Sequence, residues 1–174
     1  MKTDGLSLLF SEEAISRRIA DLACQIDACY GEEPLVMICV LKGACVFFSD
    51  LIRKLECRPV LDFVALSSYG DRTCSCGVAL SKDVSADLED RHVLVVEDIV
   101  DTGHSMRWLL DRLRALRPRS LRLAVLIDKH ERREARVDAD FCGFRVTGGF
   151  IVGYGLDYAE QYRELPALYT LEPA

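Results

Sequence analysis

Hydrophobic positions along the chain fall into two kinds of pattern that take turns. Between Ser11 and Cys29, Ile15, Ile19, Leu22 and Ile26 recur every three or four residues, the spacing of one helical face. Ser11-Glu12-Glu13 ahead of them supplies a capping hydroxyl and acids favoured by the helix dipole. Leu35 to Leu41 is an unbroken apolar run closed by Lys42-Gly43, the pattern of a strand covered on both faces. Ala44 to Leu55 turns helical, Val60 to Leu66 reads as strand, and Ser67 to Ser81 is a polar stretch with two glycines, a long mobile loop or ragged hairpin. His92 to Val96 is a second buried strand ending in Glu97-Asp98, and Met106, Leu109, Leu110, Leu113 and Leu116 mark the helix behind it. Leu121 to Ile127 is a third such strand; from Phe150 onward, Gly153, Gly155, Pro166 and several tyrosines read as a strand followed by irregular structure.

Strands alternating with helices imply βαβ units with right-handed crossovers, hence an α/β fold with a mostly parallel twisted sheet flanked by helices. No repeat, low-complexity stretch or linker divides the chain, so its 174 residues are expected to form a single domain. Half the residues are hydrophobic, which excludes a disordered tail protein. The longest apolar run falls far short of the ~20 residues that cross a bilayer, and Lys2-Thr3-Asp4 with no apolar stretch after it is no secretory signal, so a soluble, cytoplasmic protein is expected. Lys and Arg number 22 against 28 Asp and Glu, and the resulting charge of −6 gives no general attraction to nucleic acid or anionic membrane.

The eight cysteines are sparser than in a disulfide scaffold and read as reduced thiols, with Cys39 and Cys45 in apolar surroundings and Cys24 and Cys29 on the first helix. Cys74-Ser75-Cys76 lacks partner ligands, the three histidines being scattered at His92, His104 and His130, and reads as solvated loop.

In open α/β sheets ligands bind beyond the carboxyl ends of the strands, which directs attention to Glu97 to Ser105. Thr102, Gly103 and Ser105 can offer N–H and hydroxyl donors to a phosphate at a helix start. The three carboxylates beside them, Glu97, Asp98 and Asp101, suit a ligand that also carries hydroxyls or Mg²⁺. A helix cap with solvated acids is the other reading of this segment alone. A G-x-x-x-x-G-K-[ST] loop is absent, and Gly153-Tyr154-Gly155 lacks the rest of a dinucleotide fingerprint.

Val95-Val96-Glu97-Asp98-Ile99-Val100-Asp101-Thr102-Gly103-His104-Ser105 resembles, nearly position for position, the phosphoribosyl pyrophosphate (PRPP) motif of type I phosphoribosyltransferases. Val40-Leu41-Lys42-Gly43, Lys129, Phe150 to Tyr158 and Arg163 narrow the resemblance to the hypoxanthine(-guanine) phosphoribosyltransferases, over roughly residues 8–172. Ala44 stands where members often have a second glycine.

The resemblance implies transfer of phosphoribose from PRPP to a 6-oxopurine, with a small hood and a mobile lid added to the fold and a homodimer or homotetramer as the assembly. It implies that Glu97 and Asp98 hold the ribose hydroxyls and, with Asp157, ligate Mg²⁺, while Asp101, Thr102, Gly103, His104 and Ser105 cradle the 5′-phosphate. Leu41, Lys42 and Gly43, with a cis peptide after Leu41, would take pyrophosphate together with Arg163. Phe150 would stack on the purine, Ile151 would offer it backbone groups, Lys129 would donate to its 6-oxo group, and Asp101 would assist removal of its ring proton. Ser68-Tyr69 would begin the lid.

Read singly, Lys42 is a loop lysine, Arg163 a surface ion pair, Asp157 a turn residue and Phe150 a core aromatic. Two rivals stand beside this reading: a nucleotide-sensing RNA binder of the same fold, using Arg112, Arg114, Arg117, Arg119, Arg122 and the run Lys129 to Arg136, and a transferase for xanthine or adenine.

Overall fold

In the computed structural model, which describes residues 5–68 and 78–171, strand β1 (Leu6–Phe10) leads into helix α1 (Glu12–Tyr30). The Ser11 hydroxyl accepts from the Ala14 N–H at 3.3 Å, and the helix stops at Gly31, whose N–H reaches the Asp27 carbonyl at 2.8 Å. Strand β2 (Leu35–Leu41) and helix α2 (Cys45–Ile52) follow. The periodicity predicted a helix to Leu55. It ends earlier because the Asp27 carboxylate captures the Glu56 and Cys57 N–H groups, each at 3.0 Å, a tertiary contact that no local pattern announces.

Strand β3 (Val60–Ser68) pairs antiparallel with β4 (Val78–Lys82), so the arms of the polar stretch form a hairpin. Tyr69, Cys74 and Cys76 lie outside the described residues. Strand β5 (His92–Val100) precedes helix α3 (His104–Arg114), and β6 (Ser120–Lys129), β7 (Phe141–Val146), β8 (Phe150–Val152) and β9 (Leu168–Leu171) complete the series. The strand was expected to end in Glu97-Asp98; instead β5 runs on to Val100 because β6 keeps pairing with it, Glu97 opposite Val125 and Val100 opposite Asp128.

The large sheet has the order β4-β3-β2-β5-β6-β7, parallel except at β4. Alternation splits each apolar run between two cores, though Leu126 and Ile127 of β6 both fall on the α1–α2 side. Met37, Cys39, Leu94, Val96, Ala124 and Leu126 pack under α1 and α2, against Ile15, Ile19, Leu22, Ile26, Phe47 and Leu51. Val36, Ile38, Val93, Val95, Leu123 and Val125 pack under α3, against Met106, Leu109, Leu110 and Leu113. Leu116 falls beyond α3 and is exposed. A small sheet, β1-β9-β8, forms the hood. Cys39 is buried, which pushes its thiol up to about 12, whereas Cys45, expected in apolar surroundings, is exposed in the first turn of α2. Among the described residues no helix is long and apolar enough to cross a membrane.

Candidate active site

Parallel strands that end together leave their following loops on one rim, and three such rims meet here. After β5, Asp101 to Gly103 lead into α3, whose first residues are His104 and Ser105. Gly103 has φ 88°, and a Cβ there would sit 2.5 Å from the Ala135 carbonyl oxygen. The Thr102 carbonyl accepts from the N–H groups of Glu134 and Ala135, at 3.0 and 2.9 Å, and His104 Nε2 meets the Glu134 carboxylate at 2.8 Å. The segment after β6 therefore buttresses the loop after β5. A cavity of about 200 Å³ opens beside this loop, lined by Leu66, Glu97, Ile99, Asp101, Thr102, Gly103 and Ser105 among others.

Along β5 the alternation swaps at the acidic pair: Leu94 and Val96 face the α1 side, yet Ile99 does so too, and Val100 faces α3 with Val95. In a regular strand adjacent side chains point apart; here Glu97 and Asp98 stay in mutual reach. Burial pushes the Glu97 carboxyl well above its ordinary range, and the charge of Asp98 and contact with it push further the same way. Burial also raises Asp98, opposed by its contact with Glu97, by N–H donors including that of Ile99 at 2.8 Å, and by the charge of Arg163. Among the described residues, Glu97 Oε2 and Asp101 Oδ1 are shielded from solvent without a hydrogen-bond partner. Such atoms are acceptors waiting for donors.

At the end of β6, Lys129 is 7% exposed, and its Nζ lies 3.6 Å from Asp101 Oδ2, which Arg132 approaches at the same distance. Backbone bonds from His130 and Glu131 to the Val146 and Thr147 carbonyls, at 3.2 and 2.9 Å, tie this corner to the turn before β8. Phe150 follows that turn. Expected on its own to be a core aromatic, it is 48% exposed and stands edge-to-face with Tyr158, centroids 5.3 Å apart, while Ile151 beside it is buried.

The third rim follows β2. The Leu41–Lys42 peptide is cis. A Cβ on Gly43 would fall 1.7 Å from Asp98 Oδ2, and one on Gly155, φ 98°, would fall 2.2 Å from the Gly43 carbonyl oxygen. Only hydrogens at both positions let the acidic pair, this loop and the segment after β8 touch. Arg163 reaches Asp157 Oδ1 at 2.7 Å and donates to the Gly155 carbonyl at 2.7 Å. Lys42 meets Glu160 at 3.1 Å, and Arg163 lies 3.7 Å from the same carboxylate oxygen, Oε2. The Asp157 carboxylate also accepts from the Glu160 N–H at 2.9 Å.

The described residues predicted for the site thus gather into one ring, while Ser68 is the last residue of β3. Sequence reasoning missed Glu160 and Arg133. Glu160 sits in an irregular segment, and Arg133 lies inside a charge run that reads as an RNA-facing surface or, equally, as a solvated loop; the one available signal was its distance of four residues from Lys129.

Residues 7–159 match the phosphoribosyl transferase domain family. The chain is 41% identical over 175 residues to the hypoxanthine-guanine phosphoribosyltransferase of Bacillus subtilis (strain 168), covering 100% of this chain and 97% of that one. A solved hypoxanthine phosphoribosyltransferase from Staphylococcus aureus superposes with a TM-score of 0.92 at 37% identity, covering 98% of this chain and 94% of the other. The Trypanosoma cruzi hypoxanthine phosphoribosyltransferase in complex with the product IMP gives 0.90 at 40% identity, covering 95% and 94%. With the cleft geometry and likeness across nearly the whole length in agreement, the chain belongs to the hypoxanthine-guanine phosphoribosyltransferase family.

Proposed function

We propose that this transferase uses the ring of loops to move the 5-phosphoribosyl group of PRPP onto a ring nitrogen of hypoxanthine or guanine, forming IMP or GMP and releasing pyrophosphate. The observation that carries this reading is the buried Lys129 ammonium held 3.6 Å from the Asp101 carboxylate. A 6-oxopurine presents a carbonyl oxygen beside a ring N–H, an acceptor next to a donor, and the Lys129–Asp101 pair presents the complement. Adenine offers an amino group in place of the carbonyl and would leave the ammonium facing another donor.

The remaining roles are those that the family resemblance implies, and the placement of the residues supports them. Backbone N–H groups and hydroxyls from Asp101 through Thr102, Gly103, His104 and Ser105 receive the 5′-phosphate at the start of α3. Glu97 and Asp98 accept from the ribose hydroxyls. Leu41, Lys42 and Gly43 receive pyrophosphate together with Arg163, while Phe150 stacks on the base and Ile151 offers it backbone groups. Asp101 takes the ring proton, since its buried Oδ1 has no other donor to serve among the described residues.

The donor set fits Mg²⁺. Asp157, Glu97 and Asp98 supply hard oxygens, and Glu97 Oε2 is a buried acceptor still to be satisfied. Among the described residues no three acids, histidines or cysteines are grouped to hold a metal by themselves, so these acids would hold the ion only together with other oxygens. When bound, Mg²⁺ would neutralise charge developing on the departing pyrophosphate.

Five of the arginines weighed for RNA are paired with acids: Arg112 with Asp83, Arg114 with Asp111, Arg117 with Glu89, Arg119 with Glu33 and Arg136 with Asp138. That pairing supports a small-molecule enzyme over an RNA binder. The absence of a membrane-crossing helix among the described residues, and thiols read as reduced, support work in the cytoplasm, and the family resemblance supports a homodimer or homotetramer.

The test is pyrophosphate release from PRPP with Mg²⁺, measured across hypoxanthine, guanine, xanthine, adenine and uracil. Hypoxanthine and guanine should react, with adenine disfavoured by roughly 10⁴-fold in kcat/KM. Lys129→Ala should erase most of that ratio, whereas Phe150→Ala should weaken every base alike, because stacking reads the ring face. A wild-type ratio near one, or a ratio untouched by Lys129→Ala, overturns the assignment.

A further inference from the structure

Asp101 and Lys129 come from different crossovers, yet their side chains must hold a fixed spacing if one is to take a proton while the other donates to the adjacent carbonyl. A single side chain spans the two. The Arg133 guanidinium, with its side chain only 15% exposed, donates from Nε to the Asp101 carbonyl at 2.9 Å and from one terminal nitrogen to the Val100 and Lys129 carbonyls at 2.9 and 3.0 Å. That same nitrogen meets Asp128 Oδ1 at 2.5 Å, and the other donates to the Val137 carbonyl at 2.8 Å. Its Cδ would lie 3.3 Å from a Cβ on Gly103, so the stem packs beneath the phosphate loop as the head locks the backbone on either side.

We infer that Arg133 is a positioning residue for base recognition: it clamps the backbone of Asp101 and of Lys129 in one planar fork and so sets the separation of their side chains. The inference rests on the roles given above to those two residues. Lysine keeps the charge at this position but lacks the fork, because its three N–H groups radiate from one nitrogen and cannot reach acceptors served by three separate guanidinium nitrogens. A purely structural arginine would lower stability and leave the kinetics of folded enzyme unchanged. A positioning arginine changes selectivity, because misplacing a reacting group by about 1 Å can cost on the order of 10²-fold in rate.

The experiment compares wild type, Arg133→Lys and Arg133→Ala by steady-state kinetics with hypoxanthine and adenine, with melting temperature and circular dichroism as checks of folding. In Arg133→Lys, kcat with hypoxanthine and the hypoxanthine-to-adenine ratio of kcat/KM should each fall about 10- to 100-fold, while KM for PRPP stays within about threefold. In Arg133→Ala, added ethylguanidinium should restore at least about tenfold of the lost kcat, and ethylammonium should restore none. Should Arg133→Ala fail to fold, Arg133→Lys alone decides. Folded Arg133→Lys with wild-type kcat and ratio, beside active wild type, overturns the inference and spares the parent reading; wild type without base-dependent pyrophosphate release overturns both.

Discussion

Glu97 and Asp98 show what a substrate-ready site does to its own protein. Two neighbouring carboxyls share a shielded corner, and burial pushes the Glu97 carboxyl well above the range of an exposed glutamate. The folded pKa lies above the unfolded one, so the stability this group contributes is complete below about pH 4.3, the ordinary glutamate value, and is lost as pH rises through the folded value. Glu97→Gln removes that loss. The ligand-free variant should therefore melt above wild type at pH 8 by a few degrees, with the gap closing toward pH 4, while its affinity for PRPP falls. Melting curves of the two proteins between pH 4 and 8 check this, and a gap that is constant or widens toward acid contradicts it.

Among the elements, the β3–β4 hairpin depends on one buried acid. Asp62 accepts from the N–H groups of Phe63, Ser85 and Ala86 at 2.7, 2.6 and 2.7 Å and from Lys82 Nζ at 3.3 Å. Burial works against its ionisation, but those donors outweigh it and hold the carboxyl below its usual range. Asp62→Ala leaves several donors unpaired and should cost about 3 kcal/mol, seen as a fall of roughly 6–12 °C in melting temperature at neutral pH. Because the folded pKa is depressed, this contribution is present above about pH 4 and is lost as pH falls through the folded value, so the deficit should shrink near pH 3. A fall of under about 2 °C at pH 7 would show that the hairpin holds without it.

The sequence reveals such elements unevenly. Helices α1 and α3 and strands β2, β3, β5 and β6 were readable because each is long and buries a face of its own. Strands β1, β7 and β9 were not: Leu6–Phe10 and Leu168–Leu171 are short and find their partners only across the fold, and β7 contains Gly143, where a Cβ would meet the Leu126 carbonyl oxygen at 2.4 Å. The site divides in the same way. Asp101 and Lys129 sit at strand ends and the acidic pair within β5, and all could be read from motifs; Arg133 and Glu160 act through backbone carbonyls and a neighbour's countercharge, relations that no spacing encodes.

At the scale of the whole molecule, the segment that follows β8 of the small sheet meets the loop that follows β2 of the large one, backbone to backbone. Gly155 presses on the carbonyl of Gly43, which in turn lies against Asp98. Gly155→Ala combines an unfavourable φ with a 2.2 Å clash, so the loops must part. KM for PRPP and the inhibition constant for pyrophosphate should both rise about tenfold or more, with the circular dichroism spectrum preserved; unchanged constants would mean that the loops work apart. The same contact limits how the gene can drift. Replacements elsewhere in these loops can be offset by a neighbour, but at 155 the obstacle is main chain, and at 43 it is the Asp98 carboxylate, which a second substitution would remove only by taking away one of the paired acids. In a saturation library selected for growth on salvaged purine, those two codons should return glycine almost alone, two fixed points in a lineage free to vary around them.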